Sequence, residues 1–366
     1  MDYSIHHIVL AAAFGIAAVM GAVSQRTHFC AMGAVSDWVN FGDSGRLRAW
    51  MLASAVAMLG VAVLDATALA NLGAGSFPPY RQPEFNWARH LCGGLMFGAG
   101  MTLASGCGNR SLVRLGGGNF KSLVVLAVAA LCAYPFMWGD WYGRIVQPLF
   151  APLSIDLAAH GKASQALGDL LGTGNAGTGA LLAACMLAVI LAGRDFRSNP
   201  DHLWGGLTVG LGVTAAWYLT AGAPGLAWQD WAQFADQPPL RVAAQSYTFI
   251  SPLGDTVHWL GRPLDVSRVD FGIMAAAGVL TGSFLHALMS RSLRIEWFTS
   301  RADLLRHLAG AALIGSGGVI GLGCTIGQGV TGVSTLAIGS FLTLAATIAG
   351  AAATMKFEYW RLSRAA

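Results

Sequence analysis

Six cysteines stand in this chain, and three of them sit where long apolar runs break. Ser24-Gln25-Arg26-Thr27-His28-Phe29-Cys30 closes one run. Ala104-Ser105-Gly106-Cys107-Gly108-Asn109-Arg110 closes another, and Gly321-Leu322-Gly323-Cys324-Thr325-Ile326-Gly327-Gln328-Gly329 a third. A neutral thiol is a weak hydrogen-bond donor and a weak acceptor. Gly106, Gly108, Gly323 and Gly327 let the backbone approach a ligand closely and leave N–H groups free. If a short helix starts just after each cysteine, its N-terminal N–H groups attract an anion. Soft thiols, backbone donors and few carboxylates suit a small anion that carries a polarisable sulfur. Arg26 and Arg110, beside these breaks, either steer such an anion or act as topology charges.

The second and third breaks are near copies. Arg89-His90-Leu91-Cys92-Gly93 runs through a glycine-rich stretch to Gly106-Cys107, and Arg306-His307-Leu308-Ala309-Gly310 runs through another to Gly323-Cys324. Matched residues stand 217 positions apart without a gap, and glycines also coincide at 98 and 315 and at 100 and 317. A duplicated apolar helix that delivers a thiol to the same place in two halves points to a pathway on an internal pseudo-symmetry axis.

The elements that position these residues are apolar helices. Hydrophobic residues make up 55% of the chain and charged residues 11%, where soluble domains carry roughly 25% charge. Apolar runs of about 17–24 residues are long enough to cross a hydrocarbon core. The expected fold is all-α: a polytopic membrane protein with about nine spans, near 8–24, 49–72, 88–106, 122–138, 178–193, 203–221, 269–290, 305–323 and 335–354. Segments 28–40, 108–117, 247–260 and 325–333 are too short to cross and too apolar for ordinary loops. They read as re-entrant half-helices, which are tolerated at membrane depth only where protein or a watery cavity satisfies the backbone. Met1–His7 lacks the basic start of a signal peptide, so the first run is expected to be retained. A net charge of +4 does not point to nucleic acid.

Loop charge orients the spans. With the N-terminus outside and the C-terminus cytoplasmic, 15 of the 22 basic residues fall inside, as the positive-inside rule asks. Span 88–106 then runs inward and span 305–323 outward, so the repeat is inverted, a transporter design with its site at the midplane. Residues 1–140 form the first half and 141–200 an external loop and connecting helix. Residues 201–366 form the second, inverted half of one integral membrane domain. Segments 139–177 and 222–246 are expected outside, with Trp138, Trp141, Trp228 and Trp231 at the outer interface.

Other chemistry-bearing residues read more plainly. Cys92, Cys132 and Cys185 lie inside uninterrupted apolar spans and read as small buried hydrophobes. His90 and His307 follow arginines at span starts and read as interfacial anchors. Asp65 is either interfacial or functional, and Asp255 either caps a helix or works in a site. No disulfide framework is expected. A metal site has neither a CxxC pair nor histidines at ligand spacing. A soft-metal permease would need Met/His/Cys clusters along its spans, and these are absent. A membrane sulfurtransferase carrying a cysteine persulfide would need an activating base. None stands beside Cys107 or Cys324, although His28 lies two residues before Cys30.

At the three breaks the chain resembles the YeeE/YedE family of sulfur-transport membrane proteins, which includes thiosulfate uptake transporters. The resemblance rests on Gln25-Arg26-x-x-Phe29-Cys30, on Gly106-Cys107 in its small-residue setting, and on Gly323-Cys324-Thr325-Ile326-Gly327-x-Gly329. It extends over nearly the whole chain as span order and internal repeat. It implies nine spans and short re-entrant helices in an hourglass shape, with thiosulfate handed between Cys30, Cys107 and Cys324. Gly108-Asn109-Arg110 departs from it, with a polar, basic pair where relatives carry smaller residues. Some relatives serve selenium or other sulfur compounds. The expected role is therefore a transporter, not an enzyme, that imports thiosulfate or a closely related sulfur anion through the inner membrane without a cofactor. The ion and the lipid bilayer are its expected partners, with a cytosolic sulfur-carrier protein as a further candidate.

Overall fold

In the computed structural model, which describes residues 4–70, 72, 73, 75–235 and 239–365, the apolar runs are helices. The chain opens with α1 (Ser4–Thr27), α2 (Ala31–Phe41), α3 (Gly45–Ala66), α4 (Trp87–Leu103), α5 (Gly108–Gly116) and α6 (Lys121–Met137). Short helices α7 (Gln147–Phe150) and α8 (Leu167–Leu171) lead to α9 (Asn175–Ala192) and α10 (Arg194–Ser198). Then follow α11 (Pro200–Ala221), α12 (Ala223–Gln233), α13 (Ser251–Leu260), α14 (Phe271–Met289), α15 (Arg301–Ile320) and α16 (Ile338–Ala365). Among the described residues the one sheet pairs Glu84–Phe85 (β1) antiparallel with Ile155–Asp156 (β2). The chain is an all-α membrane protein.

Six helical stretches are long and apolar enough to cross a membrane: Ile5–Phe41, Gly45–Ala66, Trp87–Gly116, Asn175–Ala192, Phe271–Met289 and Ile338–Arg364. Lys121–Met137 joined to Tyr142–Leu153 across a 68° bend makes a seventh. All nine segments expected to span fall on helices. The two at 203–221 and 305–323 lie on α11 and α15, where glycines, and in α15 also Asp303, Arg306 and His307, dilute the apolar residues. Those glycines let neighbouring helices approach, which is how helices associate where lipid supplies no hydrophobic drive. The four expected half-helices fall on α2, α5, α13 and the helical turns after Cys324, whose centre at Gly327–Gly332 is widened to π geometry.

The long helices pack in a matched pattern. α1 lies against α14, and α3 against α11. α4 lies against α16, and α6 against α15. Exchanging α1 with α11, α3 with α14, α4 with α15 and α6 with α16 turns each contact into its partner. α4 and α15 cross each other through small residues. A methyl group on Gly310 would stand 2.7 Å from the Gly100 oxygen and 2.6 Å from the Ala104 nitrogen. One on Gly317 would stand 3.0 Å from the Gly93 oxygen and 2.8 Å from the Phe97 nitrogen. Gly100 and Gly317 are equivalent in the duplication, as are Gly93 and Gly310.

Several expectations are corrected by burial. Trp228 is fully buried in the core, where its Nε1 donates to His6 Nδ1 at 3.0 Å, and Trp231 stacks on the same imidazole. Trp138 turns inward and its Nε1 donates to Asp255 at 3.1 Å. Among these four, Trp141 alone is largely exposed. A buried indole N–H finds a hydrogen-bond partner, and those of Trp228 and Trp138 do. The expected external segment 222–246 is mostly α12 and a described loop, and 236–238 lie outside the described residues. His90 and His307 are buried, not anchors projecting outward. His90 Nδ1 meets Thr343 Oγ1 of α16 at 2.7 Å, and His307 Nδ1 meets the Asp303 carbonyl at 2.8 Å.

Candidate functional site

The same turn precedes a cysteine three times, and closes α3 at Ala68 and α14 at Arg291 without one. α1, α4 and α15 each end in a residue of left-handed backbone: His28 at φ 52°, Ser105 at φ 58° and Leu322 at φ 62°. None is glycine. Such a conformation costs a side-chain-bearing residue about 1–3 kcal/mol and persists where the surroundings impose it. The next N–H reaches back over the helix end in each case. Phe29 N donates to Ser24 O at 3.2 Å, Gly106 N to Met101 O at 2.8 Å, and Gly323 N to Gly318 O at 2.7 Å. This six-to-one bond closes a helix of the Schellman type. The following residue is the cysteine, and it starts the next helix.

Cys30 is the N-cap of α2 and Cys107 the N-cap of α5, both in extended backbone. Cys30 Sγ accepts from Gly33 N at 3.3 Å, and Cys324 Sγ accepts from Gly327 N at the same distance. Sulfur is a weak acceptor, and serine or aspartate would cap more strongly. Helix stability therefore does not account for three cysteines at these positions. Cys107 and Cys324 are 2% and 1% exposed, and Cys30 is half-buried.

The two buried thiols are joined through Thr325, whose Oγ1 donates to Cys107 Sγ at 3.1 Å. Residues 247–250 cross this centre. Gly108 is required by that crossing, since a methyl group there would lie 2.6 Å from the Phe249 oxygen. A methyl group on Gly327 would meet Thr248 Oγ1. Tyr80, carried in from the α3–α4 connection, donates from its hydroxyl to the Gly327 carbonyl at 2.6 Å. Thr248 Oγ1, Gln328 Oε1 and Ser340 Oγ are buried polar atoms with no protein partner.

Two cavities border the cysteine turns. One, of about 190 Å³, is walled by Phe77, Pro79, Ile250, Val319, Leu322 and Gly323, with Arg241 at its edge. Arg241 is fully engaged. Its Nη1 donates to Asp255 at 2.8 Å and Asp270 at 3.1 Å, its Nη2 to Asp255 at 3.1 Å, and its guanidinium lies 3.8 Å over the Phe77 ring. The other cavity, of about 420 Å³, is bordered by Gln25, His28, Arg110, Arg114, Arg294 and Glu296. The first adjoins Cys324 through Gly323. The second adjoins Cys30 through His28 and Cys107 through Arg110.

The residues singled out by sequence divide accordingly. Cys30, Cys107, Cys324, Gly106, Gly108, Gly323, Thr325 and Gly327 lie at the turns and their centre, and Gln25 borders the basic cavity. Arg26 is not brought to them. Its side chain is 69% exposed and faces Asp201 at 3.9 Å. Cys92 and Cys132 are half-buried and Cys185 is exposed on α9, so none is the buried hydrophobe expected. In lipid an outward-facing apolar side chain has no penalty to escape. Asp65 pairs with Arg81 at 3.0 Å. Asp255 does not cap α13 but binds Arg241. Tyr80, Thr248, Arg241 and Arg294 were missed. Each is brought in by a connecting segment, and no local pattern marks it.

The model of the family described as "Sulphur transport" matches residues 26–353. This chain belongs to that family. Within it, the chain is 25% identical over 336 residues to the thiosulfate transporter TsuA of Escherichia coli K12, an alignment covering 86% of this chain and 84% of that protein. It is 24% identical over 333 residues to the thiosulfate transporter TsuA of Spirochaeta thermophila, covering 88% of this chain and 91% of that protein. These relatives are transporters, and a transport role, not an enzymatic one, belongs to the chain as a family member. The match begins at Arg26, within the first cysteine turn, and runs past the third.

Proposed function

We propose that this chain imports thiosulfate, or a closely related small sulfur anion, across the inner membrane. In this reading Cys30, Cys107 and Cys324 pass the ion between the two cavities by weak thiol contacts, aided by Thr325 and by the close backbone approach that Gly106, Gly108, Gly323 and Gly327 allow. The observation that carries it is the threefold turn: one backbone device presents a thiol at a helix N-terminus in three places. A helix N-terminus attracts an anion, and a neutral thiol adds a weak donor. Several weak sites let an ion enter and leave, where one strong site would trap it. The thiosulfate relatives support the substrate.

Nine helices span the membrane in this reading: α1, α3, α4, α6, α9, α11, α14, α15 and α16. Residues 1–140 and 201–366 are halves of opposite orientation, linked through 141–200. The matched helix pairings and the reciprocal glycine contacts of α4 and α15 support an inverted repeat, a transporter architecture. The excess of arginine in alternate loops supports an N-terminus outside and a C-terminus in the cytoplasm. The basic cavity then faces the cytoplasm, where a sulfur-carrier protein is a proposed recipient.

The test is uptake of radiolabelled thiosulfate in cells with this protein as sole route, with sulfate and selenite as competitors. Purified protein in sealed vesicles is expected to move thiosulfate intact and leave its cysteines unmodified. Catalytic release of sulfite, lost on replacing one of the three cysteines, would assign a persulfide-forming sulfurtransferase instead.

A further inference from the structure

We propose that the basic cavity is a binding site for a small tetrahedral dianion, held chiefly by Arg110 and Arg294, where the transported ion pauses before release. The proposal rests on the transport reading for what fills the site, but the site stands on its own geometry. Three guanidiniums face one carboxylate around this cavity, a formal charge of +2. Arg114 and Glu296 occupy each other at 3.8 Å, Arg114 also donates to the Ser105 carbonyl at 3.0 Å, and Glu296 accepts from Asn119 Nδ2. Arg110 and Arg294 have no carboxylate partner among the described residues, and Arg110 Nη1 is enclosed by protein without any hydrogen-bond partner. An enclosed guanidinium N–H without an acceptor is unfavourable until one arrives.

The position of Arg110 adds a second argument. It lies in the first turn of α5, where the helix dipole disfavours a cation. Its guanidinium faces the cavity along the side of α5, beside Arg114 and Gly117. The volume of about 420 Å³ holds a tetrahedral oxyanion together with several waters, whose share is roughly 30 Å³ each. Gln25 and His28 place the cavity against the Cys30 turn.

The experiment is equilibrium binding of radiolabelled thiosulfate to the purified full-length protein, with unlabelled sulfate and phosphate as competitors. Wild type is expected to bind saturably and more weakly as salt rises. Arg110→Gln and Arg294→Gln are each expected to raise Kd about tenfold, the size of one charge-assisted hydrogen bond. Arg110→Lys is expected to recover part of the loss. Arg294 is on an exposed loop, so its replacement tests the site even if Arg110→Gln fails to fold. Competition by sulfate and phosphate marks a general dianion site, and preference for thiosulfate marks one tuned to the cargo. The site is overturned if the double variant, monodisperse and helical, binds like wild type, or if wild type shows no saturable binding. Arginine-dependent binding with uptake indifferent to Cys107→Ala would sink the cysteine path and leave this site standing. Cysteine-dependent uptake with arginine-independent binding would do the reverse.

Discussion

The two cavities differ in what their arginines are doing. At the cavity beside Cys324, one guanidinium is held by two buried carboxylates and an aromatic ring, so its charge is spent on the protein. At the cavity beside Cys30, two of three guanidiniums remain uncommitted. The first arrangement braces a segment; the second offers charge to a guest. In the proposed reading, the basic cavity is the stronger of the two for an anion, because its arginines are not spent on the protein.

The largest test cuts the link between the cavities. Cys107→Ala is expected to abolish uptake in a protein that still inserts and folds, because it removes the thiol at the centre and the partner of Thr325. Uptake at the wild-type rate in a well-expressed variant would mean that the cavities are not joined through this centre. Next is the brace. Arg241→Ala leaves Asp255 and Asp270 buried and unpaired, and losing one partner of a buried ion pair costs about 3–5 kcal/mol. A clear fall in thermal unfolding midpoint is expected. An unchanged midpoint with reduced uptake would make Arg241 part of the path and erase the contrast with the basic side. By that contrast, Arg294→Gln is expected to change stability by less than about 0.5 kcal/mol, as exposed substitutions do, while its binding effect remains. The smallest effect is expected at Cys132→Ala, a half-buried thiol on α6 away from both cavities, with wild-type uptake.

The three turns show why half of the site was legible. Cysteine at a break in an apolar run is visible in a linear chain, and the 217-residue repeat picks out two of the three. That each break is a helix end followed by a helix start also follows locally. The left-handed residue is not legible, because Ser105 and Leu322 are types that rarely adopt that conformation, and His28, of a type that adopts it more often, still does so in few cases. Only the packing of helices on both sides of the turn imposes it. Cys30 has no counterpart cysteine in the proposed second half. There the short helix α13 follows an irregular segment and carries Asp255 for Arg241.

What the amino-acid order determined by itself is therefore whatever depends on near neighbours and on the lipid solvent. That covers the all-helical class, the position of each long apolar helix, the four short ones between them, and the cysteines at their starts. A helix in lipid satisfies its own backbone, so its location needs no knowledge of a partner. Tertiary structure decided which charges are spent and which are free. Arg241 meets Asp255 and Asp270 from a connecting segment, Arg294 reaches the side of α5 from the loop after α14, and Tyr80 reaches Gly327 across 247 residues of chain. These outcomes depend on which helix ends meet. A charged side chain can be paired, exposed or held for a ligand with the same neighbours in sequence, and only the fold chooses among the three.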